Sequence, residues 1–217
     1  MISPHSRTYI LSRIRAALDV RTDENRAEQA IAGWREIQRE YRQHGTLSPS
    51  DRLKLFDERL RHYNGTPFYS SGDVRSDIAH ILSERGKHIL IIPAGFPPEW
   101  LPSGFMFIPD DNLTKEQLAS NDGALTLCSL GIALTGTVVL QSSLQQGRRA
   151  VTLVPDYHLC VLRAEDIVEL VPEAVRKLQA VREVPLTFFS GPSATVDIEM
   201  TRVRGVHGPR TLDVLVI

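Results

Sequence analysis

The chain has 217 residues, of which 42% are hydrophobic and 24% charged, and its formal net charge is −1. This composition is typical of a globular protein with a substantial core, and so small a net charge gives no general attraction to nucleic acid or to an acidic membrane. Because no apolar run is long enough to span a bilayer and residues 1–9 lack the apolar segment of a signal peptide, the sequence predicts a cytoplasmic protein.

Apolar residues at helical spacing predict three helices within residues 1–64. The second is predicted to begin after Thr22 and to end at Gly45, and the third to begin after Ser48 with a proline in its first turn. The apolar stripes of the three helices include Ile10 and Ile14, then Trp34 and Tyr41, then Phe56 and Leu60. Each helix is one-sided, so each needs a partner surface.

From residue 65 onward, short apolar strands alternate with helices, which is typical of an α/β domain with a mostly parallel sheet flanked by helices. His158 begins one of these strands and is predicted to be a core histidine with satisfied hydrogen bonds rather than a catalyst. The chain is therefore divided into a helical N-terminal region, residues 1–64, and an α/β domain, residues 65–217. Strands are predicted at residues 67–69, 88–92, 105–108, 124–128, 132–140, 151–154, 158–162, 186–189 and 212–217.

Cys128 and Cys160 are the only cysteines, and both lie inside apolar runs. Two thiolates are too few for a cysteine-ligated iron–sulfur cluster or for a zinc site built from cysteines. We therefore expect both to be small core residues, with a disulfide between them left open, and we expect no cofactor or metal in this chain.

The segment Thr135-Gly136-Thr137 interrupts an apolar run, and a glycine there indicates a bulge or the close approach of another group to the backbone. Its two hydroxyls suit a binding site. Packing alone explains the segment as well.

A second candidate segment, with Ser190, Gly191 and Ser193, directly follows the strand predicted at residues 186–189. In open parallel sheets, ligands bind beyond the carboxyl ends of the strands, where free amides collect. The amides and hydroxyls of this segment are therefore predicted to hold a small anionic ligand, a phosphate or a carboxylate.

Four further residues complete the predicted site: Asp197, Glu199, His207 and Arg210. On a strand, Asp197 and Glu199 would share a face and suit acid–base chemistry or a metal. On a helix they would point apart, and Asp197 would act as a helix cap. A further alternative is that both acids are simply solvated. His207 lies in a glycine-rich loop that either faces a ligand or bonds its own backbone. No nucleophile elbow and no G-x-G-x-x-G motif is present, so catalytic residues are left unassigned.

Four ordered motifs, GIALTGTVVL (residues 131–140), LVPDYH (153–158), SGPSATVDIE (190–199) and GVHGPR (205–210), together resemble the LUD-domain family and, within it, the lactate-utilisation C proteins. The resemblance implies a sheet like that of the NagB, ribose-5-phosphate isomerase and CoA-transferase superfamily. It also implies a non-redox accessory role in oxidising L-lactate to pyruvate, with the iron–sulfur clusters carried by partner proteins. The scarcity of cysteines agrees with that division of labour.

The family commonly has an acidic residue immediately before Thr-Gly-Thr, whereas this chain has Leu134. If that acid takes part in chemistry, this chain binds without catalysing. An alternative function is a small-molecule enzyme of the sugar-phosphate isomerase or CoA-transferase kind, acting on a phosphate or carboxylate. A third is an interaction module in which the N-terminal helices dock a partner through Trp34 and Tyr41, although packing on their own sheet is the preferred explanation.

Overall fold

The structure is a computed structural model that describes residues 4–17, 25–38, 40–195, 203–204 and 208–217. The chain divides into two compact units, Met1–Tyr41 and Arg42–Ile217. The first unit contains α1 (Pro4–Ala17) and α2 (Asn25–Glu36). The second predicted helix therefore ends before Gly45, which belongs to the second unit.

Gly45 lies instead in an irregular segment held by two carboxylates. Glu169 accepts hydrogen bonds from the backbone N–H groups of Thr46 at 2.6 Å and Leu47 at 2.8 Å, and Glu173 accepts one from Gly45 at 3.1 Å. A Cβ atom at Gly45 would lie 2.5 Å from Glu169 Oε2. Glycine is required here for close approach to a side chain rather than to end a helix.

The second unit contains five α-helices and twelve strands among the described residues. The helices are α3 (Pro49–His62), α4 (Val74–Glu84), α5 (Lys115–Ala119), α6 (Arg149–Leu153) and α7 (Val171–Leu178), with 3-10 turns at Pro98–Trp100, Ala164–Asp166 and Gln179–Val181. The strands are β1 (Thr66–Tyr69), β2 (Ile89–Ile92), β3 (Met106–Pro109), β4 (Gly123–Leu127), β5 (Leu130–Ile132), β6 (Thr137–Gln141), β7 (Tyr157–Leu162), β8 (Ile167–Val168), β9 (Leu186–Phe189), β10 (Ala194–Thr195), β11 (Val203–Arg204) and β12 (Thr211–Val216). None of the described helices is long and apolar enough to cross a membrane.

Helix α3 is part of the core of the second unit. The Ser48 hydroxyl caps it by accepting a hydrogen bond from the backbone N–H of Asp51, and a proline occupies its first turn as predicted. Phe56 and Leu60 on its inner face are fully buried. Because this helix packs into the α/β core, the observed division lies between residues 41 and 42, whereas the predicted boundary lies between residues 64 and 65.

Six strands form a parallel sheet in the order β1-β12-β7-β4-β2-β3. The predicted class, a mostly parallel α/β sheet flanked by helices, is confirmed. Both faces are covered, which explains why the inner strands are continuous apolar runs. One face packs against α3 and a second sheet, and the other against α4; the two buried clusters include Phe56, Val138, Cys160 and Leu212 on the first face and Ile78, Leu82, Leu90 and Leu159 on the second.

A buried ion pair connects β12 to its neighbours in this sheet. Asp213 on β12 is fully buried and accepts hydrogen bonds from Arg85 Nε at 2.7 Å and Arg85 Nη2 at 2.9 Å. It also accepts one from the hydroxyl of Tyr157 on β7 at 2.9 Å, while Arg85 reaches Thr66 on β1. These hydrogen bonds link three neighbouring strands, β1, β12 and β7.

The second sheet has four strands in the order β8-β5-β6-β9, with antiparallel β5–β6 and β6–β9 pairs. Two predictions are corrected by it. The strand expected at residues 132–140 is a hairpin, because Gly136 turns the chain at a φ of +57°. The strand at residues 186–189 pairs antiparallel with β6, so the segment after it does not follow a strand of the parallel sheet.

The strand predicted at residues 151–154 is also wrong, because this segment forms α6. Four apolar residues in a row do not distinguish a strand from a buried helical turn. Helix geometry brings Val151 into a buried cluster with Leu118 of α5 and with Ile91 and Ala124 of the parallel sheet. Tertiary packing therefore selects the helix.

His158 is a core histidine, as predicted, but it is only partly satisfied, because its buried Nδ1 has no hydrogen-bond partner among the described residues. It is 1% exposed, and its Nε2 lies 2.8 Å from the hydroxyl of Thr126. Its ring meets that of Phe189 edge-on, with the centroids 5.7 Å apart. Burial lowers the pKa of His158 to about 4, so the ring is neutral near pH 7.

Truncation tests the division into units. Removing residues 1–41 is expected to leave the melting temperature of the remainder within a few degrees of the full chain, because the described members of every buried cluster lie in the second unit. Removing residues 1–64 is expected to abolish stable folding, since losing Phe56 and Leu60 costs roughly 3 kcal/mol or more for each. Thermal melts followed by circular dichroism measure both. The full-length Phe56→Ala/Leu60→Ala variant should reproduce the larger loss; equal stability of the two truncations would contradict this assignment.

The buried histidine predicts an acid-sensitive stability. Between pH 6.5 and 4 the unfolded chain binds a proton at His158 that the folded chain does not, so the free energy of unfolding should fall as the pH is lowered through this window. The expected contribution is on the order of 3 kcal/mol. Urea unfolding from pH 4.5 to 7.5 should give a shallower dependence for His158→Gln, whereas the exposed His62→Gln should behave as the wild type. Parallel curves for the wild type and His158→Gln would refute this origin.

Candidate functional site

Three of the predicted site residues form one hydroxyl cluster. Thr135 Oγ1 lies 2.7 Å from Thr137 Oγ1, which lies 2.6 Å from Ser190 Oγ. The cluster joins the β5–β6 hairpin to the end of β9, and Thr137 is only 4% exposed. The structure thus brings the two segments together, but their hydroxyls bond to one another.

The glycines of these two segments allow close packing against α3. A Cβ atom at Gly136 would lie 2.5 Å from the backbone of Arg59 and Leu60, and one at Gly191 would lie 2.2 Å from the carbonyl oxygen of Tyr63. Both glycines have positive φ values. Of the two explanations that the sequence left open for Gly136, these contacts support packing.

The remaining predicted residues lie just before β10, just before β12 or outside the described part of the chain. Ser193 donates its backbone N–H to the carbonyl of Pro209 at 2.8 Å. The exposed Arg210 side chain lies 3.7 Å from the carboxylate of Asp156, at the amino edge of the parallel sheet. Asp197, Glu199 and His207 lie outside the described residues.

Leu134, at the position where the resemblance led us to expect an acid, is 43% exposed. Its backbone N–H donates to the carbonyl oxygen of Glu169 at 3.0 Å. The Leu134 side chain is therefore partly in solvent, while its backbone is tied to the segment that carries Glu169.

A cleft of about 560 Å³ lies at the opposite, carboxyl edge of the parallel sheet. The ends of three neighbouring strands, β4, β7 and β12, supply Cys128, Arg163 and Ile217 to it. In the second sheet, Ser129 directly precedes β5 and Gln141 ends β6. Helix α7 contributes Lys177 and Leu178, and the turn after β2 contributes Trp100. None of the predicted site residues with described side chains lines this cleft.

The cleft coincides with the reversal of strand order in the parallel sheet. After β2 the chain continues to β3 on one side, whereas the parallel strand that follows β4 is β7, on the other side. The segments leaving β2 and β4 therefore diverge, and residues 97–100 and 127–130 form facing parts of the cleft. Open α/β sheets bind ligands at such reversals, which makes this cleft the candidate site.

A rigid loop closes one side of the cleft. Gln146 is 6% exposed, and its Oε1 accepts hydrogen bonds from the backbone N–H of Gln141 at 2.8 Å and from the hydroxyl of Ser129 at 3.1 Å. Arg148 in the same loop forms a bidentate ion pair with Asp110 at 2.7 and 2.9 Å. These contacts hold the loop in place, so the part of the cleft lining made by Gln145 and Gln146 is already formed before a ligand binds.

The charged groups of the cleft are two cations and two acids. Arg163 and Lys177 are exposed, and neither belongs to an ion pair among the described residues. Asp166 and Glu99 also line the cleft. Across the described residues, no group of three or more His, Cys, Asp and Glu side chains is arranged to hold a metal ion.

Cys128 reaches the cleft, whereas Cys160 is fully buried behind it, and both thiols are free. Burial, together with a hydrogen bond to Cys160, raises the pKa of Cys128 well above its ordinary value. The thiol is therefore protonated near pH 7, which makes it a weak nucleophile.

Sequence reasoning missed the cleft residues although it located the three parallel strands whose ends form it. The strands predicted at residues 124–128, 158–162 and 212–217 correspond to β4, β7 and β12. Applying the carboxyl-edge rule to these strands would have pointed to Ser129 and Arg163. Lys177 and Trp100 had no such signal, because only the tertiary fold brings α7 and the turn after β2 to this edge.

Substituting Gly136 tests whether the hairpin glycine serves packing. Gly136→Ala is expected to lower the free energy of unfolding by about 2 kcal/mol or more, since it adds a clash with α3 to the cost of a positive φ. Gly104→Ala is the matched control: its φ is +88° and nothing lies within 4 Å, so only the conformational cost of about 1 kcal/mol applies. Urea denaturation measures both. Equal losses in the two variants would argue against packing.

Comparisons with known proteins agree with the resemblance carried by the four motifs. A family model described as the LUD domain matches residues 107–217. A Lactate utilization protein C of Deinococcus radiodurans is 41% identical over 97% of this chain and 99% of its own length. Another, from Bacillus subtilis, is 30% identical over 76% of this chain and 70% of its own.

A solved structure supports the same assignment. The crystal structure of a DUF162 family protein from Deinococcus radiodurans, at 1.70 Å resolution, is 36% identical to this chain, with a TM-score of 0.68. The similarity covers 79% of this chain and 99% of that one. The fold, the ordered motifs and the near full-length relative together show that this chain belongs to the LUD-domain family.

Proposed function

We propose that this chain is a non-redox accessory component of L-lactate utilisation, the oxidation of L-lactate to pyruvate, and that it works in the cytoplasm beside iron–sulfur partner proteins. The observation that carries the proposal is the match to a relative named Lactate utilization protein C over nearly the whole length of both chains. The two cysteines support the division of labour, since they are too few to ligate a cluster.

The cleft supports a binding role for this component. Its lining combines apolar side chains with a similar share of polar and charged ones, so a ligand there can be held both by burial and by hydrogen bonds. Its thiol is protonated near neutral pH, so the described lining offers no activated sulfur nucleophile. We therefore assign the component to ligand binding within the pathway, with electron transfer left to the partners.

The alternative, an enzyme of the sugar-phosphate isomerase or CoA-transferase kind, is favoured by one observation. The cleft lies at the carboxyl edge of a parallel sheet, and two carboxylic acids, Glu99 and Asp166, line it. Two carboxylic acids in one cleft can serve as general acid and general base. Loss of turnover, with ligand binding retained, in Glu99→Gln and Asp166→Asn would favour this alternative.

Deleting the gene tests the accessory role. The deletion strain is expected to lose growth on L-lactate while growing normally on pyruvate, because only the oxidation step is affected. Wild-type protein supplied in trans should restore growth, and an Arg163→Glu/Lys177→Glu variant should not, because it changes the cleft. Arg149→Glu, an exposed change away from the cleft lining, is the control and should restore growth. Normal growth of the deletion strain on L-lactate, in a strain with no second copy of the gene, would refute the proposal.

A further inference from the structure

We propose that the cleft binds an aromatic organic anion of about nucleotide size rather than L-lactate alone. The inference rests on the proposed function, in that it takes the cleft to be the working site of the lactate-utilisation component. Its first support is size. A volume of about 560 Å³ falls within the range of roughly 300–1,000 Å³ that is usual for sites of drug-sized ligands, and it is several times what a three-carbon acid fills.

The second support is the charged wall of the cleft. Arg163 follows β7 and Lys177 lies on α7, and both are exposed cations outside any ion pair among the described residues. An ionised group of a ligand gains charge-assisted hydrogen bonds from such side chains. Because Asp166 and Glu99 balance the two cations, the lining has no net charge and does not attract anions over a long distance. The two cations instead determine where in the cleft the anionic group of a ligand binds.

The third support is the apolar part of the lining. Trp100 comes from the turn after β2, and its ring packs edge-on against Phe96 with the centroids 6.3 Å apart. Leu127, Leu130 and Leu178 add aliphatic surface to the same cleft. A fixed indole beside aliphatic side chains suits a flat, apolar group, because aromatic rings gain both buried area and favourable ring contacts there. A ligand with only a carboxylate and a hydroxyl would leave this surface in water.

The fourth support is that the cleft is already formed. The loop that carries Gln145 and Gln146 is held by the Arg148–Asp110 ion pair and by a hydrogen bond from the backbone N–H of Gly95 to the carbonyl of Leu144 at 2.7 Å. A pre-formed wall spares the ligand the entropy cost of ordering it.

Tryptophan fluorescence tests the proposal directly. The chain has two tryptophans, so Trp34→Phe in the full-length protein leaves Trp100 as the single reporter in the cleft. Two aromatic anions, 8-anilinonaphthalene-1-sulfonate and ADP, are titrated against L-lactate and inorganic phosphate. We expect at least one aromatic anion to change Trp100 emission with one-to-one stoichiometry by calorimetry, and the two small anions to leave it unchanged at equal concentration.

Cleft variants in the same background complete the test. Arg163→Glu and Lys177→Glu should each weaken aromatic-anion binding by roughly tenfold or more, because attraction is replaced by repulsion. Arg149→Glu should bind as the parent, and equal melting temperatures would show that all variants are folded. The proposal is overturned if neither aromatic anion binds, if neither cleft variant weakens binding, or if L-lactate changes Trp100 emission as strongly. These readouts involve no growth measurement, so the lactate-utilisation role stands or falls separately.

Discussion

The insertion of β12 between β1 and β7 is the constraint on which the other features of the α/β unit depend. β12 lies between the edge strand β1 and β7, and its register is set by the fully buried Asp213. A buried carboxylate without partners is strongly unfavourable, whereas here Arg85 and Tyr157 satisfy it with three hydrogen bonds. A slip of one residue would turn Asp213 to the other face of the sheet and break all three.

This register positions the candidate site. Because β4, β7 and β12 are neighbours in one parallel sheet, their carboxyl ends meet at one edge and place Cys128, Arg163 and Ile217 around the cleft. The hydroxyl cluster of Thr135, Thr137 and Ser190 has a structural role away from the cleft. It links the hairpin of the second sheet to the end of β9, and Gly136 and Gly191 allow these two segments to pack closely against α3.

Local patterns predicted the elements of the fold better than their arrangement. The buried run of β2, the proline-led start of α3 and the core position of His158 all followed from residue type and spacing. The helix at Arg149–Leu153 was predicted as a strand, because so short an apolar segment carries no usable period. The site residues named from sequence were glycines and polar or charged side chains clustered in short segments, whereas the cleft is lined by side chains from the ends of elements far apart in the chain.

The sequence by itself determined the class of fold and the family. Periodicity reports local burial, and four ordered motifs are specific enough to identify relatives without coordinates. Only the tertiary structure decided what the glycine- and hydroxyl-rich segments touch and where a ligand fits, because strand order, strand direction and the position of the sheet's reversal depend on pairings between residues far apart in the chain. Those pairings assign Gly136 and Gly191 to packing against α3, and they bring Arg163, Lys177 and Trp100 to one cleft.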